Sequence, residues 1–162
     1  MNDSSVPSAL PTVDEQMDID SNLLMGLIGG GLAMLVGAVV WGAVTYFTNY
    51  QIGWMAIGVG YLVGLAVNYF GRGKTPIFGI SSAVLALIGC VLGNLLFYSG
   101  LIAREEGASF MEVFFFFLLT PAAVIEIFTL AFEFMDLLFY GIAAWVGYTT
   151  ALNVKRTKTD RT

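Results

Sequence analysis

Long uncharged apolar runs, separated by short polar clusters, make up most of this chain. A helix that crosses the roughly 30 Å hydrocarbon layer of a bilayer needs about 20 mainly apolar residues. Trp41 and Tyr46, near the end of the first run, fit the membrane interface, where amphipathic rings are enriched. We therefore predict four transmembrane helices, over residues 23–47, 52–69, 77–98 and 137–154.

The stretch from Ser109 to Asn153 is too long for a single span. As one helix it would measure about 65 Å, roughly twice the hydrocarbon thickness. Ser109 followed by Glu112 has the form of a capping box, and Pro121 after Thr120 suits a first helical position. We therefore predict two short helices, over residues 110–119 and 121–132, that lie at or dip into the membrane interface before the last span.

The basic residues decide whether residues 113–132 form a fifth span. Cytoplasmic loops carry an excess of Lys and Arg. With four spans, Arg72, Lys74 and the basic tail at residues 155–162 lie on one side, and only Arg104 lies opposite. With five spans that tail would lie outside. We therefore predict four spans in a bacterial inner membrane, with both termini cytoplasmic.

The N-terminal segment, residues 1–21, is polar and acidic. It has too little apolar surface to fold alone, so we predict a disordered cytoplasmic tail. Asp20, Ser21 or Asn22 is expected to cap the first helix. What remains is one membrane domain, residues 22–154.

Glycines recur within the second and third runs. A missing side chain lets two helix backbones approach closely, so these positions predict helix-packing faces. Glycine hinges for gating are the alternative, for which the sequence offers no separate support. The predicted packing positions are Gly53, Gly58, Gly60, Gly64, Gly89 and Gly93.

A weak internal repeat relates the two halves of the chain. A shift of 85 residues brings Trp54 onto Phe139 and Asn68 onto Asn153. This pattern indicates two parallel-repeat helical hairpins, related by an axis along the membrane normal, with the two short helices as an insert. A chance match of low-complexity apolar sequence is the alternative.

Three segments carry a resemblance to a known group of proteins. They read QIGWMAIGVG at residues 51–60, GCVLGN at 89–94 and DLLFYGIA at 136–143. They resemble the shared motifs of an uncharacterised family of small bacterial four-helix integral membrane proteins. The resemblance covers most of residues 23–153 and implies a fold and a location, but no chemistry. Some similar proteins carry a zinc-ribbon-like module before the membrane domain, and this chain has no Cys-x-x-Cys there.

Composition narrows the classes of function. The chain is 57% hydrophobic and 12% charged, against about 25% charged in soluble domains. Its net charge of −5 argues against nucleic acid as a partner. The absence of histidine removes the commonest general base and metal ligand, and Cys90 has no partner for an intrachain disulfide. We expect no enzyme activity, no cofactor and no metal.

An acidic stripe is the strongest candidate site. Glu126, Glu133 and Asp136 share one helix face if the helix continues through Phe134. Such a stripe would form a cation or proton site at the outer mouth of the bundle. The alternative is the solvated face of an interfacial amphipathic helix, with Asp136 capping the last span.

Asn94, inside the third predicted span, fits either an interhelical hydrogen bond or the lining of a solute path. The leading hypothesis is a non-enzymatic structural or accessory membrane protein that self-associates or joins a membrane protein partner. The second is a small channel or transporter for a cation or small solute. A lipid-modifying enzyme is the third, and no catalytic grouping in the sequence supports it.

Overall fold

A computed structural model describes residues 22–48, 54–131 and 134–153, and these ranges fold into six α-helices. The all-α prediction is confirmed, and the predicted break between Leu119 and Pro121 is present. The helices are α1 (Leu23–Thr48), α2 (Trp54–Gly71), α3 (Pro76–Glu106), α4 (Phe110–Leu119), α5 (Pro121–Ala131) and α6 (Phe134–Asn153).

Three helices, α1, α2 and α3, are long and apolar enough to cross a membrane. The pair α4 and α5 is bent by 100° and would form a fourth candidate as one broken or re-entrant span. By length and composition α6, the predicted last span, is not among the candidates, because it carries polar residues such as Asp136, Thr150 and Asn153. The chain is therefore a helical membrane protein with three or four candidate spans.

Helix directions follow the predicted hairpins. Along α1 and α3 the contacts advance together, so these helices are parallel: Gly30 meets Leu85, Met34 meets Gly89 and Tyr46 meets Gly100. Along α2 and α6 they also advance together, from Gly60 against Ala143 to Gly64 against Gly147. Because α2 runs against α1 and α6 runs against α3, the bundle consists of two antiparallel hairpins placed side by side.

The predicted symmetry axis is not matched by the packing. α2 packs against α3, whereas α1 and α6 have little or no contact. A two-fold axis along the membrane normal would make these two pairs equivalent. The hairpins thus repeat in direction but not in their mutual contacts.

Helix α3 is longer than predicted, because no residue breaks it at Tyr98. The charged residues Arg104 to Glu106, predicted as a loop, form its last turn. The helix ends where Gly107 adopts the left-handed conformation, φ 66°. Its 31 residues span about 46 Å at 1.5 Å per residue, so it is longer than the hydrocarbon layer is thick.

Helix starts are only partly as predicted. Of the three candidate caps for α1, Asn22 is the one described, and its Oδ1 accepts a hydrogen bond from the Met25 N–H at 3.1 Å. Ser109 occupies the N-cap position of α4, but its side chain makes no capping hydrogen bond. Helix α4 is instead held by packing, because Val113 and Phe117 are buried with Leu95 of α3.

Candidate functional site

A chain of side-chain hydrogen bonds crosses the interior of the bundle. Trp41 Nε1 donates to Asn94 Oδ1 at 3.0 Å, and Asn94 Nδ2 donates to the Tyr140 hydroxyl at 2.8 Å. The three residues belong to α1, α3 and α6. Trp41 is only 1% exposed, so its ring faces the interior of the bundle and does not contact the lipid. Of the two alternatives for Asn94, the structure contains the interhelical hydrogen bonds.

Two further polar side chains bind the backbone of α6. Asn68 Nδ2 donates to the Ala151 carbonyl, and Ser82 Oγ donates to the Gly147 carbonyl at 2.9 Å. Sequence reasoning placed Asn68 only at the end of a span and missed Ser82. A signal was available, since buried small residues recur every three or four positions along one face of α3: Gly79, Ser82, Ala86, Gly89 and Gly93.

Glycines bring the helices close enough for these bonds. A methyl group at Gly60 would collide with the Ala143 carbonyl, and one at Gly64 would lie 2.7 Å from the Gly147 oxygen. Methyl groups at Gly89 and Gly93 would lie 3.2 Å from Met34 and 2.9 Å from Trp41, respectively. Four of the predicted packing glycines therefore contact a neighbouring helix, and α2 uses two of them to hold α6.

Two predicted packing glycines do not belong to this set. Gly58 is exposed, and a methyl group there would have no atom within 4 Å. The reason is helical geometry: Gly58 and Gly60 are two residues apart, which places them about 200° apart around the axis. Gly53 lies outside the described residues.

The two described members of the predicted acidic stripe differ in exposure. Glu126 is exposed on α5, whereas Asp136 is 7% exposed in the first turn of α6. Glu133 lies outside the described residues. Asp136 is buried because it shares a face with Ala143 and Gly147, which pack against the bundle. The two described carboxylates therefore have different surroundings.

Within the described ranges no three His, Cys, Asp or Glu residues are grouped closely enough to hold a metal ion. In the same ranges every buried side-chain nitrogen and oxygen has a hydrogen-bond partner. Cys90, expected to be a packing residue, is fully buried in the main core with Val63 and Ala143. Among the buried polar residues, Asn68, Ser82 and Asn94 join different helices, whereas Ser99 donates to the Leu95 carbonyl of its own helix.

Comparison with known proteins gives no match. No protein-family model, no curated protein and no solved structure matches the chain. The role of the protein must therefore be inferred from its own residues and contacts.

Proposed function

We propose that this protein is a non-enzymatic structural or accessory component of a bacterial inner membrane, where it associates with a second copy or with a larger membrane complex. The interior chain from Trp41 through Asn94 to Tyr140 carries the proposal. These three side chains could otherwise serve a reactant, and their hydrogen bonds fasten three helices together. The three motifs that resemble the uncharacterised bacterial family support the same location.

Four spans, α1, α2, α3 and α6, form the membrane domain of this proposal, with α4 and α5 at the interface. α6 lies along α2 from Gly60 to Asn68 and runs in the same direction, so the two helices cross the bilayer together. Its backbone and side-chain polar groups are bonded to α2 and α3, which lowers the cost of placing them in lipid.

The end of the bundle that holds Arg72 and Lys74 faces the cytoplasm in this arrangement. The Asn22 N–H, just before α1, donates to the Gly71 carbonyl beside this loop. Asn68 Nδ2, one turn before the loop, donates to the Ala151 carbonyl in the last turn of α6. The start of α1 and the last turn of α6 therefore lie on the side of the basic loop. A reporter fused to the C-terminus that reads periplasmic would overturn this topology.

The outward face of α2 supports the association. Trp54, Tyr61 and Tyr69 are exposed there. Trp54 and Tyr61 lie about one turn on either side of Gly58, which leaves the backbone open to an approaching helix. Large apolar side chains on this face can contact either lipid or another protein, and the number of chains in the assembly distinguishes the two.

Native mass spectrometry of the full chain, released from membranes in a mild detergent, tests the association. We expect either a mass of two or more times 17.5 kDa or the mass of a complex with a second protein in fixed proportion. A Gly58→Leu variant should lose the higher mass. Release of the wild-type chain only as a monomer without a partner would refute the proposal.

A small channel or transporter is the second candidate, and one observation favours it. Asp136 is buried at the start of α6, one helical turn before Tyr140 in the interior chain. Ionisable residues within membrane domains are costly and mark ion or proton paths. Liposomes with the wild-type protein should then pass protons or potassium ions, and Asp136→Asn should stop the flux. Wild-type flux no higher than that of protein-free liposomes removes this candidate.

A further inference from the structure

The loop that joins α2 to α3 alternates between buried glycine and exposed cation. Gly71 and Gly73 are buried against the ring of Phe78, and a methyl group at either would collide with that ring. Arg72 and Lys74, which alternate with them, are exposed. The backbone is thus pressed onto the bundle while both charged side chains point outward.

Hydrogen bonds fix the shape of this loop. Arg72 has a positive φ of 55°, which is uncommon for a residue other than glycine, and its N–H donates to the Asn68 carbonyl at 3.0 Å. The Gly71 carbonyl accepts from the Asn22 N–H at 2.7 Å, which ties the loop to the start of α1. Arg72 and Lys74 therefore project from a backbone that is held on both sides.

The described residues around the two cations carry little compensating charge. Among the described residues neither side chain has an ion-pair partner. The first turns of α1 and α3, which begin beside the loop, hold no acidic residue. Arg72 and Lys74 thus present two positive charges close together at one end of two membrane spans.

We propose that the loop formed by residues 71–74 binds the phosphate group of an anionic phospholipid. A loop between two spans lies at the depth of the lipid phosphates, and a guanidinium can bind two phosphate oxygens at once while the ammonium adds a point charge. The inference rests on α2 and α3 crossing the bilayer, and it is independent of the association and transport proposed above.

Titration of the full chain with phosphatidylglycerol and with phosphatidylethanolamine, followed by native mass spectrometry, tests the site. Each basic residue near an anionic lipid strengthens binding of that lipid about fivefold, so Arg72 and Lys74 together should strengthen it roughly thirtyfold. We expect the wild type to retain phosphatidylglycerol preferentially and the Arg72→Asn/Lys74→Gln variant to lose most of that preference. Asparagine is chosen because it tolerates the left-handed backbone of position 72.

Arg104→Gln is the matched control, because Arg104 is also exposed and basic but lies at the opposite end of α3. It should keep the wild-type preference. Equal retention of phosphatidylglycerol by the loop variant and the wild type would overturn the proposal. Displacement of the lipid by inorganic phosphate would overturn it too, because the site would then bind free phosphate.

Discussion

Replacement of Gly64 by leucine should undock α6 from the rest of the bundle. Even a methyl group at this position would lie 2.7 Å from both the Gly147 oxygen and the Thr150 Cβ. Overpacking of this kind costs about 1–3 kcal/mol. Movement of α6 would also stretch the hydrogen bonds from Asn68 and Ser82, at about 0.6 kcal/mol each. The expected loss is about 2–4 kcal/mol of the free energy that keeps α6 docked.

Cys90 provides the assay, because it is the only cysteine of the chain and is 0% exposed. Its thiol can react with a maleimide only when the bundle opens. A loss of about 2–4 kcal/mol raises the open population, and hence the labelling rate, roughly 30- to 700-fold when opening and closing are fast.

Gly141→Leu, on α6 itself, is the control for the same change. A side chain there meets no atom within 4 Å, so the labelling rate should stay within about twofold of the wild type. Labelling at equal rates in the Gly64 and Gly141 variants, measured in one detergent, would show that the contact with α6 does not hold the bundle closed.

Three further substitutions probe other parts of the fold. Asn94→Leu removes the hydrogen-bond partner that Trp41 and Tyr140 share, and it should lower the free energy of unfolding by about 1–3 kcal/mol. Denaturant titration in detergent should show little further loss when Tyr140→Phe is added to this variant, and additive losses would contradict a shared chain of hydrogen bonds. Asn22→Ala removes the cap on Met25 and should cost about 1 kcal/mol, seen as a lower melting temperature with unchanged helix content by circular dichroism. Gly107→Ala forces a methyl group into a left-handed position and should cost about 1–2 kcal/mol in the same melting experiment; an unchanged melting temperature would mean that the end of α3 rearranges freely.

Local signals predicted the helix starts best. Phe110 and Pro121 begin α4 and α5 as expected. A proline acts locally at a first helical position, whereas Ser109 marks the start of α4 without a side-chain capping hydrogen bond. The end of α3 was predicted too early, since charged residues at 104–106 indicate exit from lipid and do not break a helix. The glycine at 107 is the residue that ends it.

Long-range contacts were beyond the sequence pattern. The hydrogen bond of Trp41 inside the bundle was not predicted, because its partner Asn94 is 53 residues away along the chain. The glycines of α2 were predicted to pack as one set, but residues at 58, 60 and 64 cannot all face one neighbour. Only the pair spaced four apart, Gly60 and Gly64, contacts α6. Burial of Asp136 likewise depends on how α6 is rotated about its own axis, and the hydrophobic periodicity of the sequence does not determine that rotation.

The bonds from Asn68, Ser82 and Asn94 to α6 have a consequence for biogenesis. Ribosomes deliver α2 and α3 to the membrane before α6 has been synthesised, so for that interval the two amides and the hydroxyl lack their final partners. A chain that stops short of α6 would leave these groups without those partners inside the membrane, where an unsatisfied polar group is costly. Docking of the last helix therefore satisfies polar groups of the helices inserted before it.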